Sequence, residues 1–425
     1  MAKITLWPDI YKEQGHWLPC VNLAKTLQTA SHTIEFMGIL DCEPIVKPYN
    51  ATIANGLFKP ILQSIYPSGH TFENKLEPLD QRWKPHHLLP IARGALDSVF
   101  TGAGKPNLLI GGYFTGLESL LIYYKYQVKI AIITTYLRHP QDDPAIHAKA
   151  KLLHLPAAVA RKLMDAVLPE AQRGMSIDQF IGPLSNAKEM IPCPKEFDFT
   201  DPDWVHRAQA KYVEPMIERV SLTASPVGPP ENPITIPAGK KVIYATSGSQ
   251  VQDYEFQART FFKNLIGMMS TQGMDAYYLV IGAGPKLNAA LRREYGVNVP
   301  NVTTTLPTNV TIVDWVSQLD MMGEADAVFM HGGLATIKEA IWETVPIIVV
   351  PHGKDQMDNA LRIKRAGIGL VSEVGDLKPE DLRALLTSVT ASTWIQQNLT
   401  RMRAIFGAAE AVKESVNVVN GALSA

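Results

Sequence analysis

The chain is poor in cysteine and has no excess of either charge. Three of its 425 residues are cysteine, and their odd number and irregular spacing indicate neither a disulfide framework nor a zinc site. Lys and Arg number 40 against 41 Asp and Glu, so no overall positive field exists to attract nucleic acid. The composition is otherwise ordinary for a globular protein, with 46% hydrophobic and 19% charged residues.

Long uncharged apolar runs are also missing. The longest apolar region, residues 108–135, is interrupted by Glu118, Lys125 and Lys129, which argues against a stable membrane span. A strand-like run from Ile4 to Trp7 begins near the first residue and leaves no room for a signal peptide before it. We therefore expect a cytoplasmic protein, either monomer or homodimer, without nucleic acid or membrane partners.

Strand-like runs alternate with helical patterns in both halves of the chain, which is typical of an α/β fold with parallel sheets. Residues 221–239 hold five prolines and predict a linker. We therefore predict an N-terminal domain over 1–220, a C-terminal domain over 240–400, and a helix over 401–425 that can pack back on the first domain. Residues 141–195 are predicted to form helices inserted between sheet elements. The cleft between two such domains is the natural ligand site.

Most of the functional information lies between Phe329 and Asn359. The apolar run Ala327–Met330 predicts a strand that ends at Gly332-Gly333, and the spacing of the following apolar residues predicts a helix. A second strand is predicted over Ile347–Val350. In such a βαβ unit ligands bind at the carboxyl end of the first strand. The amide groups and dipole of the helix N-terminus favour an anion there, most often phosphate.

These residues resemble the nucleotide-sugar-dependent glycosyltransferases of the GT-B fold, family 1. That family includes bacterial macrolide and natural-product glycosyltransferases and the UDP-glycosyltransferases. The resemblance spans both halves, since Glu13-Gln14-Gly15-His16 with Pro19 is similar to the family's G-H-x-x-P helix start. It implies two Rossmann-like domains that face each other across a cleft.

The resemblance implies a role for each motif of the C-terminal half. The donor phosphates would be bound by His331, Gly332, Gly333, Thr336, Ser247 and Ser249. Trp315, Val316, Gln318 and Glu339 would bind the base and ribose, and Asp355 and Gln356 the donor sugar. Glycine permits close backbone approach to phosphate, and a carboxylate can accept bonds from ribose hydroxyls.

His16 would be the general base that removes a proton from the acceptor hydroxyl, a task suited to an imidazole near neutral pH. The implied reaction inverts the anomeric carbon and uses neither a metal nor a cofactor. The nucleotide sugar, UDP-glucose-like or dTDP-linked, is a co-substrate. The expected acceptor is a small natural product that carries a hydroxyl group.

One position departs from the family pattern. Many relatives orient the catalytic histidine with an aspartate after a strand, and Gly112 stands at that position here. Asp9, Glu13 or Asp41 can take its place, the acceptor can be acidic enough to need little help, or activity can be weak or lost. Two alternatives stay open. One is a sugar-nucleotide epimerase of the same architecture, and the other is a catalytically silent nucleotide-sugar-binding protein, which the missing aspartate at Gly112 supports.

Overall fold

The computed structural model describes residues 1–10, 14–38, 46, 52–53, 87–217, 234–249, 251–297, 305–372 and 377–425. The chain divides into two compact units. The first comprises Met1–Pro194, Thr200–Glu218 and Ala409–Ala425, and the second comprises Lys195–Phe199 and Arg219–Ala408. Most of the predicted 221–239 linker lies outside the described residues.

The first unit is built on a parallel sheet with the strand order β3-β2-β1-β4-β5-β6-β7. Its strands are β1 (Lys3–Trp7), β2 (Thr33–Phe36), β3 (Thr52–Ile53), β4 (Leu108–Gly112), β5 (Lys129–Ile133), β6 (Lys188–Ile191) and β7 (Ala210–Tyr212). Trp7 pairs with Gly111, so the carboxyl ends of β1 and β4 lie side by side. The strand order reverses at this pair, which is where doubly wound sheets bind ligands.

Helices connect these strands. They are α1 (Gln14–Thr29), α2 (Leu88–Ala92), α3 (Asp97–Phe100), α4 (Gly116–Tyr126), α5 (Pro144–Leu153), α6 (Ala157–Asp165), α7 (Ile177–Phe180) and α8 (Gly182–Asn186). Helix α1 buries Trp17, Val21, Ala24 and Leu27 at near-helical spacing, which fixes the face that it turns to the core. Its first turn is thereby held beside the end of β1.

The second unit repeats the same topology with the strand order β10-β9-β8-β11-β12-β13, again parallel throughout. Its strands are β8 (Lys241–Thr246), β9 (Tyr277–Gly282), β10 (Val310–Val313), β11 (Ala327–Met330), β12 (Ile347–Val349) and β13 (Gly369–Val371). Its helices are α9 (Glu255–Met269), α10 (Pro285–Glu294), α11 (Gln318–Glu324), α12 (Leu334–Glu343), α13 (Gln356–Ala366), α14 (Pro379–Ala391) and α15 (Thr393–Val412). Thr246 pairs with Met330, so the carboxyl ends of β8 and β11 are adjacent.

The last helix, α16 (Glu414–Ser424), belongs to the first unit. Val418 and Val419 are buried in the core of that unit. The backbone N–H of Ser415 donates to Glu214 at 3.1 Å, and the Lys129 ammonium donates to the carbonyl of Leu423. These contacts attach the C-terminal helix to the end of the first sheet.

The predicted alternation of strands and helices is confirmed in both units. The prediction of helices throughout 141–195 is wrong at its end, where β6 forms at Lys188–Ile191. Its pattern is masked by Glu189, which is fully buried between Arg138 at 2.8 Å and Arg207 at 3.0 Å. In the part of the chain that the structure describes, no helix is long and apolar enough to cross a membrane.

Candidate active site

A histidine–aspartate pair lies at the carboxyl edge of the first sheet. Asp9 follows β1, and His16 lies in the first turn of α1. His16 Nδ1 is 2.6 Å from Asp9 Oδ2. The Asp9 side chain is 2% exposed and the His16 side chain 16%, so the carboxylate is buried behind a ring that solvent can reach. A carboxylate on Nδ1 favours the tautomer that carries its proton on Nδ1, and in that tautomer Nε2 is unprotonated and can act as a base.

The position of Gly112 explains why the acid comes from β1. A Cβ atom at Gly112 would lie 1.7 Å from the carbonyl oxygen of Pro8, so no side chain fits there. The Pro8-Asp9 segment occupies that space and supplies its own carboxylate. Of the three acids that the sequence offered, Asp9 contacts His16, whereas Glu13 and Asp41 lie outside the described residues.

Aromatic side chains adjoin His16. The ring of Phe114 lies 5.4 Å from the imidazole, and Tyr136 stacks on Phe114 with centroids 5.8 Å apart. Both aromatic rings are partly exposed. They follow β4 and β5, so they extend the same edge of the sheet into an apolar surface beside His16.

A second imidazole–carboxylate pair in this unit contrasts with the first. His87 Nε2 is 2.8 Å from Glu118 Oε1, and Lys151 Nζ is 3.5 Å from the other oxygen. Burial raises the pKa of Glu118, but Lys151 and His87 outweigh it and lower the pKa to about 2. The side chains are 7% and 0% exposed, so this pair joins α2, α4 and α5 and presents no open edge to a ligand.

The second unit brings its predicted phosphate-binding residues to the edge of β8 and β11. His331 follows β11, Gly332 has φ +97, and Gly333 caps α12. A Cβ at Gly248 or at Gly333 would lie 2.6 Å from the imidazole of His331, so the ring fits between two glycine turns. The glycines thus permit an approach that any side chain would block.

His331 is uncharged near neutral pH. Burial, followed by the nearby His352, lowers its pKa to about 3, and the Thr246 carbonyl opposes this shift. Within the described residues its Nδ1 forms no hydrogen bond. The ring can therefore donate or accept a hydrogen bond as a neutral imidazole. Thr336, in the first turn of α12, is also buried.

His352 is a site residue that the sequence analysis missed. Its Nε2 is 3.1 Å from the hydroxyl oxygen of Ser247, which is itself buried, whereas Ser249 is exposed. Burial lowers the pKa of His352 to about 4. The sequence signal that could have identified His352 is its position directly after Pro351, next to the carboxyl end of β12.

Two of the four predicted base and ribose contacts, Gln318 and Glu339, are joined by a hydrogen bond. Trp315 is partly exposed after β10, and Val316 beside it is buried. Gln318 Nε2 donates to Thr336 Oγ1 at 3.1 Å and to the carboxylate of Glu339. Burial raises the pKa of Glu339 to about 7, although the Gln318 amide opposes this shift.

The predicted sugar-binding pair begins α13. Asp355 is partly exposed, whereas Gln356 is buried. Gln356 Oε1 accepts hydrogen bonds from the backbone N–H of His352 at 2.7 Å and of Gly353 at 3.1 Å. Its carbonyl thus shapes the turn, and only its amide NH₂ is left for a ligand. No group of three or more metal-ligating side chains is found among the described residues.

Part of the chain is similar in sequence to known glycosyltransferases. Residues 295–419 match the erythromycin biosynthesis protein CIII-like C-terminal domain. The chain is 35% identical over 104 residues to UDP-glucuronosyltransferase 2A3 of Pongo abelii, and 39% over 92 residues to UDP-glucuronosyltransferase 3A1 of Xenopus laevis. These matches cover 24% and 21% of this chain but only 20% and 17% of the relatives.

Solved structures extend the similarity over the whole chain. The glycotransferase of kitacinnamycin superposes with a TM-score of 0.72 at 18% identity, covering 99% of this chain and 98% of that one. CalG4, the calicheamicin glycosyltransferase, superposes with a TM-score of 0.68 at 16% identity, and the match covers 100% of this chain and 98% of CalG4. The spinosyn rhamnosyltransferase SpnG, complexed with thymidine diphosphate, superposes with a TM-score of 0.62 at 17% identity. That match covers 98% of this chain and 100% of SpnG. The fold of this chain is therefore the GT-B fold of these glycosyltransferases.

Proposed function

We propose that this protein transfers a hexose from a nucleoside diphosphate sugar to a hydroxyl group of a small acceptor. The transfer inverts the anomeric carbon and needs no metal ion. The observation that carries the proposal is the 2.6 Å contact between His16 and Asp9, because it supplies the acid that is missing at Gly112. A protein that only bound the donor would have no use for such a pair.

The second unit would bind the donor. The leaving group is a nucleoside diphosphate, so negative charge develops on the bridging oxygen as the bond breaks. The Gly332 and Gly333 amides and the dipole of α12 favour that charge. His331 would act as a neutral hydrogen-bond donor, since its pKa of about 3 leaves it uncharged at pH 7.

The first unit would activate the acceptor. His16 Nε2 removes the hydroxyl proton as the acceptor oxygen attacks the anomeric carbon. Asp9 holds the ring in the tautomer that leaves Nε2 unprotonated, and then stabilises the positive charge that the ring acquires. The partly exposed Phe114 and Tyr136 give an apolar acceptor a surface to pack against.

The relatives support the reaction class and leave two donor nucleotides open. SpnG has been solved with thymidine diphosphate, and another structure holds the spinosyn aglycone. The curated relatives are named for UDP-linked donors. UDP-glucose and dTDP-glucose are thus the first donors to test.

The test is to incubate the purified protein with each donor and a panel of phenolic and polyketide acceptors, and to measure nucleoside diphosphate release. We expect release that depends on the acceptor and is lost in His16→Ala. Conversion of the donor into an epimeric nucleotide sugar without an acceptor would favour the epimerase. Nucleotide-sugar binding without turnover, unchanged by His16→Ala, would favour the silent binding protein.

A further inference from the structure

Asn359 joins the two turns that form the donor side of the second unit. This fully buried residue of α13 donates from Nδ2 to the carbonyl of Gly332 at 3.0 Å. The same nitrogen donates to Asp355 Oδ2 at 3.0 Å. One amide therefore links the glycine turn after β11 to the carboxylate predicted to hold the donor sugar.

Arg362 fixes which way that amide faces. Its guanidinium donates from Nη1 to Asn359 Oδ1 at 3.3 Å. With Oδ1 held in this way, both protons of Nδ2 point towards Gly332 and Asp355. A flipped amide would instead place its oxygen against a carbonyl and a carboxylate, which repel it.

A buried ion pair holds Arg362 in turn. Arg362 Nε donates to Asp198 Oδ1 at 2.8 Å, and the side chains are 1% and 0% exposed. The guanidinium carbon also lies 4.4 Å from the centre of the Phe199 ring. A buried charge network of this kind adds little net stability compared with an apolar replacement, so a positional role is the better account of it.

We propose that Asp198 and Arg362 are positioning residues for the donor sugar. They act through Asn359, whose amide holds Asp355 Oδ2 and so fixes the orientation of the carboxylate that is predicted to contact the sugar hydroxyls. The inference rests on the proposed function, since it needs Asp355 to contact the sugar of a nucleotide sugar. The Asn359 amide also holds the carbonyl of Gly332 in the predicted phosphate-binding turn. Part of the effect is therefore shared by the nucleotide alone, and the sugar-specific part is the change in the ratio of the two affinities.

The experiment compares the affinity for UDP-glucose with the affinity for UDP by calorimetry, and repeats this with the dTDP pair. In Arg362→Met we expect the Kd of the nucleotide sugar to rise about tenfold, the equivalent of one charge-assisted hydrogen bond. The Kd of the nucleotide alone should rise by about threefold at most, because the nucleotide contacts the Gly332 turn but not Asp355. Asp198→Asn keeps the volume of the side chain. It should also raise the ratio of the nucleotide-sugar Kd to the nucleotide Kd.

Arg383→Met is the matched control, since Arg383 donates to the carbonyl of Gln272 outside this network. General destabilisation of the protein would weaken the binding of nucleotide sugar and nucleotide equally. A change in the ratio of their Kd values therefore reports on the positioning of Asp355. If Arg362→Met does not fold, Asp198→Asn decides the question. An unchanged ratio in Asp198→Asn would overturn the inference alone, whereas a wild-type protein that binds no nucleotide sugar would overturn the proposed function as well.

Discussion

The two sheets have the same strand order apart from the additional β7 of the first, but their carboxyl edges carry different side chains. In the first, the carboxyl ends of β1 and β4 enclose a buried carboxylate, Asp9, against the partly exposed ring of His16. In the second, the equivalent ends of β8 and β11 carry glycine turns, a helix N-terminus and two buried imidazoles. In the proposed reaction the edge of the first sheet accepts a proton, and the edge of the second sheet binds an anion.

The contrast shows how the surroundings of a histidine decide its role. His331 and His352 are buried, and burial lowers their pKa values to about 3 and about 4. They are neutral donors or acceptors in the working pH range. His16 instead has a carboxylate at 2.6 Å, which stabilises the imidazolium that a base must become.

The largest effect should come from substituting either member of the His16–Asp9 pair. We expect His16→Ala to lower kcat by about 10²–10⁴-fold, the usual contribution of a general base. Asp9→Asn should lower it by about 10²-fold, because an amide no longer fixes the tautomer or stabilises the charged ring. Donor affinity should stay unchanged in both variants, as measured by calorimetry.

His87→Ala provides the control for this comparison, because it breaks the other imidazole–carboxylate pair of the same unit. It should lower the melting temperature but leave kcat within about threefold, since distortion of the core acts on stability first. An equal loss of kcat in His87→Ala and His16→Ala would remove the distinction between the two pairs.

A smaller effect should follow from blocking the anion-receiving edge. Gly248→Ala would place Cβ 2.6 Å from the His331 ring, at φ +73. We expect the Kd for UDP or dTDP to rise about tenfold, because the ring must move away from the phosphate position. Gly239→Ala at φ +79 has nothing within 4 Å, so it carries the same backbone strain without the contact. Equal affinities of the two variants would contradict this account.

The smallest effect concerns Glu339. Burial raises the pKa of this carboxyl group to about 7. The carboxyl is protonated below that pH and ionised above it, and only the ionised form accepts bonds from both ribose hydroxyls. UDP affinity should therefore rise about fivefold from pH 6 to pH 8, the margin between charged and neutral hydrogen bonds. Calorimetry on Glu339→Gln should show a flat profile, and dTDP, which lacks the 2′-hydroxyl, should show a weaker rise.

The sequence predicted the strands and turns that depend on local pattern. Strand β11 forms over Ala327–Met330 as expected, and β12 forms over Ile347–Val349, one residue shorter than expected. Both follow from local pattern, because a buried parallel strand is a short apolar run between turn residues. Strand β6 escaped prediction because Glu189 interrupts its apolar pattern. Its partners Arg138 and Arg207 are distant in sequence, so only the folded chain shows how that charge is balanced.

The candidate site divides in the same way. Sequence order placed His331 and Asp355 at strand ends, which follows from the βαβ pattern. It could not choose among the acids near His16, because the choice depends on Pro8 filling the space beside Gly112. It also could not show that the Gln356 carbonyl is occupied by the turn that it closes.

The most direct measurement is the proton NMR spectrum of the product formed from an α-linked donor such as UDP-glucose. Direct displacement assisted by His16 predicts a single β-glycoside, with the large coupling of a diaxial anomeric proton. An α-glycoside would contradict the proposed single displacement. Consumption of the donor without any glycoside would contradict transfer itself.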